Sequence, residues 1–250
     1  MSLKVAVLGS SGRMGTETCR AIDGADDLEL VAQVDRDGSV KDAHAAGAEV
    51  VVDFTVPDAV MGNIEEALSL GMHVVVGTSG FDDQRISQVQ KLLDAAQGEL
   101  GVVVAPNFAL GAVLLMRFAR EAARHFTSAE IVEIHHPDKV DAPSGTAVHT
   151  AQVIAEARRS AGVGEAPDAT ARALDGARGA SVDGVPVHSV RLRGAVAHEE
   201  VVFGSAGEIL TLRHDSLDRA GFMPGVLLAV RSVSSRPGLT VGLEPLLDLA

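Results

Sequence analysis

Short apolar runs that alternate with amphipathic helices, a glycine-rich turn directly after the first run, and a change of texture after residue 108 predict an α/β fold. The expected form is a Rossmann-like doubly wound parallel sheet with an α+β domain inserted into it. Residues 3–8 read as a buried strand, followed by Gly9-Ser10-Ser11-Gly12-Arg13-Met14-Gly15 and a helix to about Ile22. Residues 28–34 are the second strand, ending at Asp35, and 50–55 the third. Then come a helix over 57–70, a strand over 73–76, a helix over 82–95 and a strand over 102–105. Such alternation requires crossovers, hence parallel strands with helices on both faces and a ligand crevice at the strands' C-terminal ends. Those ends carry Gly9 to Gly15, Asp35, Phe54-Thr55, Gly77-Thr78-Ser79-Gly80 and Ala105-Pro106-Asn107-Phe108.

Beyond Asn107 the pattern predicts a helix over 111–125, a strand through 130–136 and a helix over 145–159. A Gly/Ala/Pro/Asp-rich stretch follows over 161–184, then strand-like runs at 187–193, 198–204 and 208–214 separated by glycine turns, the signature of an antiparallel sheet. A last helix over 216–230, with Ser216 as its N-cap, and an edge element over 237–243 are expected to return to the first domain. The resulting division is 1–108 plus 217–250 for dinucleotide binding and 109–216 for the substrate.

Composition narrows the function. The net charge of -13 with no basic block argues against nucleic acid or an anionic membrane as partner. No apolar stretch approaches the roughly twenty residues of a membrane span, and the start shows no basic, apolar leader, so a cytoplasmic location is expected. Cys19, the one cysteine, excludes a disulfide framework and a cysteine-rich metal centre. With no Tyr, the Tyr-Lys proton donation of short-chain reductases is unavailable, and any proton must come from His, Lys, a carboxyl group or water.

A glycine turn opening a helix lets backbone approach a pyrophosphate, which the helix dipole favours. The spacing here is Gly-x-x-Gly-x-x-Gly, and Asp35 lies where an acid would accept from the adenosine ribose. Asp35 favours NADH, whereas Arg13 and Arg36 would meet the extra phosphate of NADPH, so acceptance of both is predicted.

The run from Glu130 to Ala147 holds His135, His136, Lys139 and Ser144-Gly145-Thr146. Backbone N–H groups of the last three, at a helix start, would bind a substrate carboxylate, with Lys139 as a nearby charge. Strand alternation puts Ile131, Glu133 and His135 on one face and Val132, Ile134 and His136 on the other, so the two imidazoles diverge and have different tasks.

With the glycine loop, Gly77-Thr-Ser-Gly-Phe81, Ala105-Pro-Asn-Phe108 and His-x-x-x-Lys-x-Asp-x-Pro-Ser-Gly-Thr-Ala together, the chain resembles the 4-hydroxy-tetrahydrodipicolinate (dihydrodipicolinate) reductase family over nearly its whole length. The resemblance implies hydride reduction of a cyclic unsaturated imine in diaminopimelate and lysine biosynthesis, a small dicarboxylate substrate, NADH or NADPH, and no metal. It further implies His135 as proton donor or acceptor, Lys139 as proton donor, His136 as a substrate contact, and Gly145 and Thr146, with Ser144 beside them, as the carboxylate site. Cofactor contacts would fall on Gly9 to Met14, Asp35, Gly77 to Ser79 and Ala105 to Phe108. A homotetramer built through the second domain's sheet, and closure of the domains on the substrate, are also implied. Some relatives have Lys where this chain has Ser11 and Arg13, which shifts phosphate recognition to Arg13 and Arg36.

Other readings are another Rossmann-type NAD(P)-dependent oxidoreductase, such as a sugar dehydrogenase, or a non-enzymatic nucleotide sensor; the Glu-Lys-Pro loop typical of the former is absent. The nine histidines also raise a metallohydrolase, but His198-Glu199-Glu200 lacks the second histidine one helical turn on. Three consecutive residues, His214-Asp215-Ser216, cannot converge as a triad, and His73, His125, His149 and His188 read as structural.

Overall fold

Runs of valine closed by a turn residue make short strands buried on both faces, which is what a parallel sheet under helices requires. The computed structural model describes residues 2–247. Its chain forms two compact units, the first running to Leu110 and resuming at Arg219, the second spanning Gly111–Asp218. In the first unit, β1 (Leu3–Leu8), β2 (Leu28–Val34), β3 (Val50–Asp53), β4 (His73–Val76), β5 (Gly101–Val104) and β11 (Gly238–Val241) form one parallel sheet in the order β11-β5-β4-β3-β1-β2. Order reverses at β1, so β2 lies to one side and β3 to the other, and the C-terminal ends of the strands around β1 become a crevice. Helices α1 (Arg13–Asp23), α2 (Val40–Ala45), α3 (Val60–Ser69), α4 (Asp83–Ala95) and α7 (Met223–Val233) belong to this unit. Ala6, Leu8, Val51, Val74, Val76, Val102 and Ile64 fill one of its cores.

The second unit is built from α5 (Leu110–Ala122), β6 (Ser128–His135), α6 (Gly145–Ser160), β7 (Ala180–Val182), β8 (Val185–Arg191), β9 (Ala197–Ser205) and β10 (Glu208–Ser216). Its sheet runs β10-β9-β6-β8-β7. Leu115 and Ala119 of α5 and Ala147, Ala151 and Ile154 of α6 pack on Ile131, Val187, Val201 and Phe203 of the sheet. Among the described residues no helix is long and apolar enough to cross a membrane.

Three sequence expectations change. The second sheet is mixed: β9 is antiparallel to β6 and β10, but β8 runs parallel to β6. Between β6 and β8 the chain crosses back through α6, and alternation of apolar residues carries no information about strand direction. The expected cap at Ser216 is instead the last residue of β10; a 3-10 turn, Arg219–Phe222, intervenes, and α7 starts at Met223 with proline in its first turn, where a missing N–H costs nothing. Short α2, closed by a reciprocal Ser39–Asp42 capping box, was not foreseen because six residues give too little periodicity. The 161–184 stretch is irregular until β7, a two-stranded turn onto β8.

Candidate functional site

In the first unit, the strand ends gather the glycine turn, Asp35 and Phe54 around a cavity of about 360 Å³ lined by Gly9, Ser11, Gly12, Asp35, Arg36 and Phe54. Gly9 has φ +74°, and a Cβ there would stand 2.7 Å from the Phe54 carbonyl oxygen. A Cβ on Gly15 would stand 2.1 Å from the Gly9 carbonyl oxygen, so the turn closes only on glycine. No side chain caps α1 and no acid stands in its first turn, which leaves its positive end for an anion. These features fit a dinucleotide pyrophosphate.

Asp35 is held by the glycine turn itself: Ser10 Oγ donates to its Oδ2 (2.9 Å), and Ser11 N–H and Oγ donate to its Oδ1 (3.0 and 2.9 Å). The Ser11 N–H chiefly lowers its pKa. A ribose hydroxyl would therefore meet a carboxylate already fixed in place. Arg13 and Arg36 are exposed, and neither is ion-paired among the described residues. Phe54 packs edge-on against Phe108, centroids 5.8 Å apart, and a Cβ on Gly77 would run into its ring at 2.1 Å. Asn107 Oδ1 accepts the Ala109 N–H, which shapes the Ala105 to Phe108 turn.

Sequence reasoning missed the group that ties these turns together. Asp53, fully buried at the end of β3, accepts from Thr55 N–H (2.8 Å), Thr55 Oγ1 (2.7 Å), Asn63 Nδ2 (2.7 Å) and Thr78 Oγ1 (2.8 Å). Thr78 thus turns its hydroxyl inward, leaving only its backbone to a ligand, whereas Ser79 is exposed. The available signal was an acid closing an all-valine strand.

In the second unit, Glu133 is the centre. It is 0% exposed, yet Arg191 grips it with two N–H donors (2.8 and 2.9 Å), Ser144 N–H donates to its Oε1 (3.2 Å), and its Oε2 lies 2.5 Å from His135 Nδ1. Burial pushes the Glu133 carboxyl up, but Arg191, Ser189 and His135 outweigh burial and hold it below the ordinary value. With a carboxylate at Nδ1, the imidazole keeps its proton there and presents Nε2. Burial lowers the pKa of His135, and the charges of Lys139 and Arg191 add to that against the pull of Glu133. His135 is therefore neutral at neutral pH.

The expected amide cradle is not open. Ser144 is 2% exposed, its N–H is on Glu133 and its Oγ accepts the Ala147 N–H as the α6 N-cap, so it joins sheet to helix. Gly145 N–H donates to Asp141 Oδ2 (3.2 Å), and Lys139 Nζ donates to Asp141 Oδ1 (2.7 Å). Asp141, kept acidic first by Lys139, thus stands where a substrate carboxylate was expected. Arg191 also donates to the Asp141 carbonyl (2.6 Å), which pins the loop between β6 and α6; the Ala142–Pro143 peptide in it is cis. His136 follows the last residue of β6 and turns to Lys139, whose N–H donates to its carbonyl. Glu133 and Arg191 carry the geometry of this site, although the sequence reading gave neither a role. A second cavity of about 370 Å³ lies in this unit, but its Arg158 is bonded to carbonyls of Phe126, Thr127 and Gly164, and its Arg178 to Glu130 and Asp168.

Comparison with known proteins gives one answer. Residues 3–108 match the family described as "Dihydrodipicolinate reductase, N-terminus", and residues 111–247 match "Dihydrodipicolinate reductase, C-terminus". The chain is 60% identical over 249 residues, 100% of both chains, to the 4-hydroxy-tetrahydrodipicolinate reductase of Nocardia farcinica. It is 61% identical to that of Cutibacterium acnes over 99% of both chains. A solved dipicolinate-bound dihydrodipicolinate reductase from Paenisporosarcina sp. TG-14 superposes with a TM-score of 0.88 at 38% identity, covering 99% of this chain and 100% of that one.

Proposed function

Because the chain belongs to the dihydrodipicolinate reductase family and is an NAD(P)H-dependent oxidoreductase, acting on 4-hydroxy-tetrahydrodipicolinate, we propose that its two units divide the reaction between them. The first unit takes the nicotinamide cofactor, which supplies hydride. Gly9 to Gly15 receive the pyrophosphate, Asp35 the ribose, Arg13 and Arg36 an added phosphate, and the turns at Phe54, Gly77 to Ser79 and Ala105 to Phe108 the remainder. The single observation that supports this is the uncapped α1 start beside glycines that admit no side chain.

The second unit supplies the proton. Hydride addition to a conjugated imine leaves an electron-rich enamine that must be protonated, and a positioned acid speeds such a step by roughly 10²- to 10⁴-fold. Lys139 is the proton source and neutral His135, its Nδ1 fixed by Glu133, passes the proton through Nε2. The substrate is a small dicarboxylate. One carboxylate displaces Asp141 from Gly145 N–H and meets Thr146, with His136 as a further contact. Ser144 acts behind them rather than on the substrate.

We read the assembly as a homotetramer formed through the sheet face opposite the α5–α6 core, where Val132 and Ile134 of β6 and Val202 of β9 take no part in that core. Light scattering on Ile134→Asp tests this, a surviving tetramer counting against it. A cytoplasmic location fits the NAD(P)H requirement and the lone Cys19. The residue roles are tested by His135→Ala: kcat falls by about 10²- to 10⁴-fold with cofactor Kd nearly unchanged, and retention of more than about half of kcat removes His135 from the relay.

A further inference from the structure

Behind His135 the inner face of the second sheet carries a polar row that is buried on its two central strands. Register aligns Ser189 of β8, Glu133 of β6, Glu199 of β9 and His214 of β10. Two carboxyl groups thus stand directly opposite one another, 0% and 6% exposed. Cross-strand neighbours of this kind have Cβ atoms only about 5 Å apart. The positive partner is all on one side, since Arg191 serves Glu133 with both its forks. Glu199 meets the hydroxyl of Thr150 instead, at 2.6 Å.

Thr150 Oγ1 also lies 3.0 Å from the Thr146 carbonyl oxygen. A hydroxyl has one proton to donate, and a backbone carbonyl only accepts. Both contacts are satisfied when Glu199 keeps its own proton and donates it to Thr150, whose proton then goes to Thr146. A second bare carboxylate in this position would be buried without a cation and beside a like charge, at a cost of several kcal/mol.

We propose that the protonated, neutral form of Glu199 is the one that serves the enzyme, and that the chain Glu199 to Thr150 to Thr146 makes it a positioning residue for the first turn of α6, which presents the substrate contacts. This rests on the reading of Thr146 as a substrate contact. The charged and titratable neighbours agree with it. Burial first, then the Glu133 charge, pushes the Glu199 carboxyl up to about 7 against the Thr150 bond. His214, its partner in β10, is held neutral by burial, and on α6 the facing group is the Thr150 hydroxyl, His149 being exposed. Loss of the proton would set two carboxylates against each other and loosen that turn. KM for the dicarboxylate then rises with pH while kcat, set by Lys139 and His135, does not follow.

The test uses full-length protein with carbon-13 in its Glu side-chain carboxyls. The signal missing from Glu199→Gln identifies Glu199, and its titration is followed from about pH 5 to about pH 9. The expected midpoint is near neutrality; one in the ordinary carboxylate range overturns the proposal. Kinetically, Glu199→Gln, which keeps a neutral donor, is expected to hold at every pH the KM that wild type shows on the acid side of neutrality and to lose the alkaline rise of about tenfold per pH unit. A KM profile that superposes on wild type overturns the positioning role. Thr146→Val is run beside it: an unchanged KM there overturns the substrate reading and with it the purpose of the brace, whereas a low carboxyl midpoint overturns the brace alone.

Discussion

The two units bury polar groups in different places. In the first, the sheet interior is apolar, Val5, Val7, Val50, Val52, Val75 and Val103 being almost wholly buried, and the polar work is done at the strand ends by backbone and by Asp53. In the second, the inner face of the sheet itself holds Glu133 and Glu199, and α6 adds Ser144 and Thr150. A pyrophosphate is bound by N–H groups that any sequence supplies once glycine lets it approach, so that site needs a clean apolar scaffold. A proton relay needs side chains held at fixed angles and protonation states, and here the strands that carry the relay also carry its support.

The largest test of that contrast is Lys139→Ala. A drop in kcat of about 10³-fold with cofactor Kd unchanged is expected, and an equal loss in cofactor binding would mean that the units do not divide the work. Next is Glu133→Gln, for which kcat is expected to fall about 100-fold through loss of the fixed tautomer. The pH profile separates this from simple damage. His135 must be neutral to receive a proton, so kcat falls as pH drops through its pKa, which burial holds below 6.5. Removing the Glu133 charge, which raises that pKa, moves the acid limb further down. A limb that stays put after Glu133→Gln would detach Glu133 from His135.

On the side of the first unit, Gly15→Ala places a methyl 2.1 Å from the Gly9 carbonyl and is expected to raise cofactor KM by about 30-fold, roughly 2 kcal/mol, with dicarboxylate binding untouched. The smallest effect belongs to Arg36→Ala: kcat/KM for NADPH falls about tenfold and that for NADH hardly changes, as expected of one exposed phosphate contact. Wild-type preference between the two cofactors is expected to stay under about a thousandfold, near 4 kcal/mol.

The same contrast explains what could be read from the sequence. His73–Val76 matches its expected range residue for residue, because a buried parallel strand announces itself as an apolar run, and the edge strand Leu28–Val34 matches too, its apolar residues broken only by the exposed Glu29 and Gln33. In the signature run the phase of Ile131, Glu133 and His135 was legible, and Nδ1 of His135 does lie against Glu133. The clasp that makes this useful was not, since Arg191 stands 58 residues from Glu133 and nothing local marks it. Asp141 likewise read as a motif letter, and only its placement on both Gly145 N–H and Lys139 shows the loop binding itself. Glu199 entered the sequence reading only as a letter of His198-Glu199-Glu200, because burial depends on register across β6, β9 and β10, which a single chain of letters does not state.

The final helix and β11 belong to the unit that the chain left at Leu110. Gly225 of α7 sits so close to the Phe108 carbonyl that a Cβ would stand 2.1 Å from it, so the last segment braces a turn made more than a hundred residues earlier. During synthesis the ribosome therefore delivers the whole proton-handling unit before the nucleotide-handling one has its edge strand. Released chains truncated just past Asp218 are expected to show a protease-resistant fragment from the middle of the protein and a still digestible beginning.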